Sequence, residues 1–210
     1  MKIIIMVGNS WTHKIARICI IPLVNTSVSP NHLTALRLLT GVAACFSFAV
    51  GDRDWDFWGG WLWLLSTFLD RADGELARIS EKITPGGHKF DMISDTTITS
   101  LFFIGAGIGL RHTDYGNITV FAGILGAIGV IAAEYFAESI DQLNKETGDK
   151  AYAGLWGFDF DDILYLFAPL IWLGWQLPFV LGASIGAPIF AIYTLYKLRW
   201  LHKTNDKKIL

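Results

Sequence analysis

At 210 residues, with 52% hydrophobic and 17% charged side chains and nine tryptophans, the chain is too apolar for an ordinary soluble domain, and its length suits one compact domain over residues 1–210. A formal net charge of -2 excludes the basic excess that a nucleic-acid partner demands. Cys19 and Cys45 sit in apolar stretches without the spacing of a disulfide framework or a zinc site, so both read as small buried hydrophobes.

The chain opens with Lys2 and a short apolar run, Ile3 to Val7, too brief for a secretory signal, so nothing is expected to be removed. Residues 10–24 mix Trp11, Ile15, Ile18 and Ile20 with His13, Lys14 and Arg17, the pattern of an amphipathic helix lying on a bilayer surface. A membrane-spanning helix takes about 20 mostly apolar residues. Six such segments follow, at 32–50, 55–77, 90–110, 117–138, 161–177 and 179–198. The first opens at Ser29-Pro30-Asn31, a cap-and-proline start, and stops at Gly51-Asp52. Only Gln176-Leu177-Pro178 separates the last two. The expected fold is an all-α integral membrane protein of six transmembrane helices preceded by an N-terminal amphipathic surface helix.

Lysines and arginines set the expected orientation. Lys2, Lys14 and Arg17 precede the first span; Arg78, Lys82 and Lys89 flank the second loop; Lys145 and Lys150 lie in the fourth; and Lys197, Arg199, Lys203, Lys207 and Lys208 close the chain. The other side holds Arg53 and Arg111, which places both termini and the loop at 79–88 in the cytoplasm. Trp55, Trp58, Trp156, Trp175 and Trp200 fall near span ends, where an aromatic belt forms.

The second span ends in Asp70, Asp73, Gly74, Ala77 and Arg78, whose offsets of 0, 3, 4, 7 and 8 put them on one helical face. After the breaker cluster Thr84-Pro85-Gly86-Gly87, Asp91 and Asp95 stand one turn apart at the start of the third span. Two antiparallel helices bring the four carboxylates together. At membrane depth such charges need a cation. Oxygen ligands without His or Cys suit hard ions such as magnesium, manganese or calcium, and four carboxylates are enough to bridge two ions. With Arg78 alongside, this is a site for phosphoryl-type chemistry. Intramembrane carboxylates also mark ion pathways, so a divalent-cation transporter is the alternative.

The run Asp70-x2-Asp73-Gly74-x2-Ala77-Arg78-x8-Gly87-x3-Asp91-x3-Asp95 matches every fixed position of the signature of the CDP-alcohol phosphotransferases, which this chain resembles. Eight specified residues recur by chance on the order of once in ten billion start positions at average usage. Pro30-Asn31-x2-Thr34-x2-Arg37 is similar to the family's first-helix pattern, and the likeness runs to about residue 115. The resemblance implies Asp70, Asp73, Asp91 and Asp95 as ligands of two Mg2+ (or Mn2+) ions, with Asp95 as general base. It implies Asp73, Gly74, Ala77, Arg78, Gly87, Asn31 and Thr34 as the CDP-binding set. A CDP-linked donor, CDP-diacylglycerol by preference, then passes its substituted phosphate to a small alcohol and releases CMP, in phospholipid biosynthesis. A homodimer in the lipid bilayer is implied too, and Gly105-x-Gly107-x-Gly109 offers a close-packing stripe.

The acceptor is less legible. Arg37 and Lys82 are candidate contacts for a phosphorylated acceptor, whereas Glu134 and Glu138, one turn apart, would favour an amino alcohol or neutral polyol if they line the pocket. Asp159, Asp161 and Asp162 read first as caps of the fifth helix.

Overall fold

A computed structural model describes residues 10–144, 150–152 and 158–209. Lys2, the run Ile3 to Val7, Lys145 and Trp156 lie outside the described residues, as do the side chains of Lys207 and Lys208. The described chain is helical: α1 (Trp11–Ile20), α2 (Pro30–Val50), α3 (Arg53–Ile79), α4 (Pro85–Gly109), α5 (Ile118–Leu143), α6 (Phe167–Trp172) and α7 (Gln176–Ile209), with short 3-10 turns at Ile21–Leu23, Leu110–His112 and Phe160–Leu166.

Local chemistry fixes the helix ends. Ser29 caps α2 with Pro30 in its first turn, and Gly51, at φ 75°, closes it in the left-handed region that glycine enters without strain. Asp52 then caps α3 by accepting from the Asp54 amide at 3.0 Å. Thr84 accepts from the Gly87 amide at 3.0 Å, and Pro85 begins α4. The cluster expected to break the chain before residue 90 is therefore itself the first turn of the helix, because proline at the first helical position loses no bond.

α2 packs between α3 and α4, α4 leads on to α5 and α5 to α7, while α1 and α6 lie against α3. The core is aromatic. Trp63 stacks on Phe167 with ring centres 5.6 Å apart, Phe102 meets Phe167 at 4.6 Å, and the Trp63 indole donates to the Leu164 carbonyl at 2.8 Å. Outward, Leu39, Phe46, Phe121, Ile128, Ile189 and Ile192 are exposed, an apolar exterior that water would not tolerate over so large an area.

Four helices are long and apolar enough to cross a membrane: Pro30–Val50, Pro85–His112, Ile118–Leu143 and Gln176–Thr204. α3 reaches about 40 Å at 1.5 Å per residue, but both of its ends are charged. The segment expected at 161–177 is instead a 3-10 turn and a six-residue helix, about 23 Å together at their standard rises. Asp159 and Asp162 form a reciprocal cap at its start, as expected of acidic residues there. The glycine stripe of α4 is consumed inside the chain. A Cβ on Gly105 would lie 2.4 Å from the Cys45 carbonyl oxygen, and one on Gly109 would lie 2.0 Å from that of Phe48.

Candidate active site at the α2–α3–α4 end

Because α3 and α4 run antiparallel through the five-residue turn at 80–84, the last turns of one face the first turns of the other. Ligand atoms of Asp70, Asp91 and Asp95 come within 4.8 Å of one another. α2 adds a cation to this cluster. The Arg37 Nη1 lies 2.9 Å from Asp70 Oδ1 and 3.2 Å from Asp91 Oδ1, and its Nη2 contacts Asp95. Arg37 is 3% exposed and its Nε has no partner. Asp73 stands apart from the three: its Oδ2 accepts from the Thr34 hydroxyl at 2.6 Å. Sequence spacing placed four carboxylates on facing helices; the structure clusters three and bonds the fourth to α2.

One guanidinium cannot neutralise three clustered carboxylates, and carboxylate oxygens without softer donors suit a hard divalent ion. The donor set therefore fits magnesium or manganese at Asp70, Asp91 and Asp95, with Asp73 beside them.

A cleft of about 190 Å³ opens next to this cluster. Asn31, Thr34, Asp73, Gly74, Ala77, Arg78 and Gly87 all line it, so the seven residues expected to hold CDP share one cleft. Lys82, His88 and Asp91 are also among the lining residues. At Gly74 a Cβ would meet only the Arg78 guanidinium, at 3.5 Å, so packing within the chain does not require glycine there. A side chain would project into the cleft instead, which makes the missing Cβ a condition for a ligand's close approach. A larger cavity of about 480 Å³ lies at the opposite end of α3, between Arg53, Phe57 and Trp172, and none of the signature residues lines it.

The acceptor candidates are dispersed. Lys82 is on the cleft, Arg37 is occupied by carboxylates, and Glu134 accepts from Thr96 at 2.5 Å, one residue past Asp95. Glu138 lies 3.6 Å from His88. Neither glutamate lines the cleft. Asp161 and Asp162 face Arg71, at 3.7 and 3.2 Å, so they do more than cap. Sequence reading passed over Glu75, which is fully buried among His13, Arg17 and Arg78. Its signal was a further ionisable residue in the same span as Asp70 and Asp73, one residue past Gly74.

Residues 27–193 match the family model described as CDP-alcohol phosphatidyltransferase. The chain belongs to that family. Within it, the chain is 33% identical over 107 residues to the bifunctional IPC transferase and DIPP synthase of Archaeoglobus fulgidus; that stretch covers 49% of this chain and 20% of the relative's length. The phosphatidylinositol phosphate synthase of Mycobacterium tuberculosis, solved with CDP-DAG bound, superposes with a TM-score of 0.58 over 92% of each chain. At 19% identity that likeness shows a common fold. Family membership makes the chain a transferase and favours that reading over a cation carrier.

Proposed function

We propose that this chain transfers a phosphatidyl group from CDP-diacylglycerol to a small alcohol, releasing CMP, as a step of phospholipid synthesis. The carrying observation is the open wall at Gly74 beside the Asp70–Asp91–Asp95 cluster: room for a nucleotide next to a seat for hard cations. Two divalent ions, when bound there, would neutralise the pyrophosphate oxygens.

The residues of the chain do the rest. Asp73, Asn31 and Thr34 hold and orient the nucleotide with Gly87, Gly74 and Ala77 leave it space, and Arg78 and Lys82 meet phosphate oxygens. Asp95 takes the proton of the acceptor hydroxyl. That oxygen attacks the phosphorus distal to cytidine, the bond to the CMP oxygen breaks, and CMP leaves. A carboxylate close to cations is a weak base, so its contribution is chiefly position.

The same reading includes the setting. α2, α3, α4, α5, the short 160–172 segment and α7 make six passes, with both termini and the site at the cytoplasmic face, in a homodimer. α1 rests on the surface with Trp11, Ile15 and Ile18, all exposed at helical spacing, turned to lipid. The test is CMP release from CDP-diacylglycerol by purified protein with magnesium or manganese, across a panel of alcohols and phosphorylated alcohols. Release with one acceptor fixes the substrate. No release from CDP-diacylglycerol with any acceptor would overturn the proposal, and release from a soluble CDP-alcohol alone would overturn its choice of donor.

A further inference from the structure

Glu75 occupies one of the two unspecified positions between Gly74 and Ala77, so the family signature assigns it nothing. Its side chain is fully buried, yet it meets three cationic or proton-donating groups from two helices. Oε1 accepts from His13 Nδ1 at 3.0 Å and also contacts Arg78 Nη1. Oε2 accepts from Arg17 Nε at 2.9 Å, with Arg17 Nη2 at 2.8 Å. His13 and Arg17 are one turn apart on α1, and Arg78 is one turn beyond Glu75 on α3. The other His13 nitrogen, Nε2, lies 3.1 Å from Asp159 Oδ2, and Thr12 donates to Asp162 at 2.6 Å. α1 is thus pinned to α3 by charge, while Trp11, Ile15 and Ile18 face away.

A buried carboxylate that lost these partners would be left uncompensated, and an arginine that lost this anchor would regain its rotamer freedom. We propose that Glu75 is a positioning residue that fixes the guanidinium of Arg78 on the nucleotide cleft and ties that position to the docking of α1. The inference rests on the proposed CDP-binding role of Arg78. It gives the surface helix a part in donor binding: α1, through His13 and Arg17, completes the charge balance that holds Arg78 in place.

Two measurements on the full-length protein test it. In CMP-release kinetics, Glu75→Gln should raise KM for CDP-diacylglycerol about tenfold or more, the scale of one charge-assisted bond, with a smaller change in kcat and none in the acceptor KM. Arg17→Gln should move it in the same direction by less. Because both act through Arg78, Glu75→Gln combined with Arg78→Gln should be no worse than Arg78→Gln alone. Independently of turnover, a nitroxide on the exposed Cys19 of α1, with buried Cys45 replaced by Ala, should gain mobility in Glu75→Gln. An unchanged donor KM, additive double-mutant losses or an unchanged nitroxide line shape would each overturn the inference. Should Glu75→Gln not fold, His13→Gln and Arg17→Gln carry the same tests from the α1 side. If the wild type turned over no CDP donor, the proposed function would fall, and the Cys19 line shape would still judge the docking.

Discussion

The two ends of the α2–α3–α4 group are held together by different means. Toward Gly109, helices touch backbone to backbone: the missing side chains of Gly105 and Gly109 admit the carbonyls of α2, and the aromatic rings of Trp63, Phe102 and Phe167 fill the space beside them. Toward Asp70, the same helices stand apart around a cleft and are joined through the charge of Arg37 on α2 to Asp70 on α3 and to Asp91 and Asp95 on α4. One end depends on shape, so added atoms damage it. The other depends on pairing, so lost charges damage it, and added atoms interfere with ligands rather than with folding.

The largest effect that would sharpen this contrast is chemical. Asp91→Asn should lower CMP release by about a thousandfold, the scale of removing one key electrostatic group, while the thermal transition in detergent moves little because Arg37 keeps Asp70 and Asp95 as partners. Collapse of the fold in that variant would break the contrast. Next comes the opposite end. Gly109→Ala forces a Cβ against the Phe48 carbonyl at 2.0 Å and should cost about 1–3 kcal/mol of stability, read from denaturant unfolding. Gly74→Ala, the same change in the cleft, should leave unfolding within about 0.5 kcal/mol yet weaken CDP binding by calorimetry. Trp63→Phe removes the bond to the Leu164 carbonyl and should cost about 1–2 kcal/mol. Smallest of all, Gly86→Ala, with nothing within 4 Å of the new carbon, should change neither stability nor turnover.

What the sequence made legible follows the same division. Periodicity placed Asp70, Asp73, Gly74, Ala77 and Arg78 on one face because helical spacing is local, and all but Asp70 line the cleft. The cap-and-proline start at Ser29-Pro30-Asn31 and the stop at Gly51-Asp52 marked the ends of α2 to within two residues. Pro85 misled, since a breaker cluster and a helix start share the same residues. Pairings across the chain were not legible: Glu75 with Arg17, 58 residues away, and Arg71 with Asp162, 91 away, depend on tertiary geometry that spacing does not encode. Glu134 was legible as a candidate contact, but its short bond to Thr96, beside Asp95 and 38 residues away in sequence, was not. The segment at 161–177 was apolar enough to suggest a span, but composition does not reveal that its first half winds as a 3-10 turn.

At the Gly109 end, Arg111 donates to the Ala49 carbonyl at 2.9 Å and the Ile108 carbonyl at 2.7 Å, stapling the close of α4 to the close of α2. With Gly51 wedged against Gly109 at the same place, the ends of α2 and α4 share a fixed fulcrum. A 25-residue arm is about 37 Å long, so a tilt of about 3° about that fulcrum moves its tip by about 2 Å. Backbone packing at that joint therefore sets, to about the width of a metal–oxygen bond, the spacing of the groups at the far end.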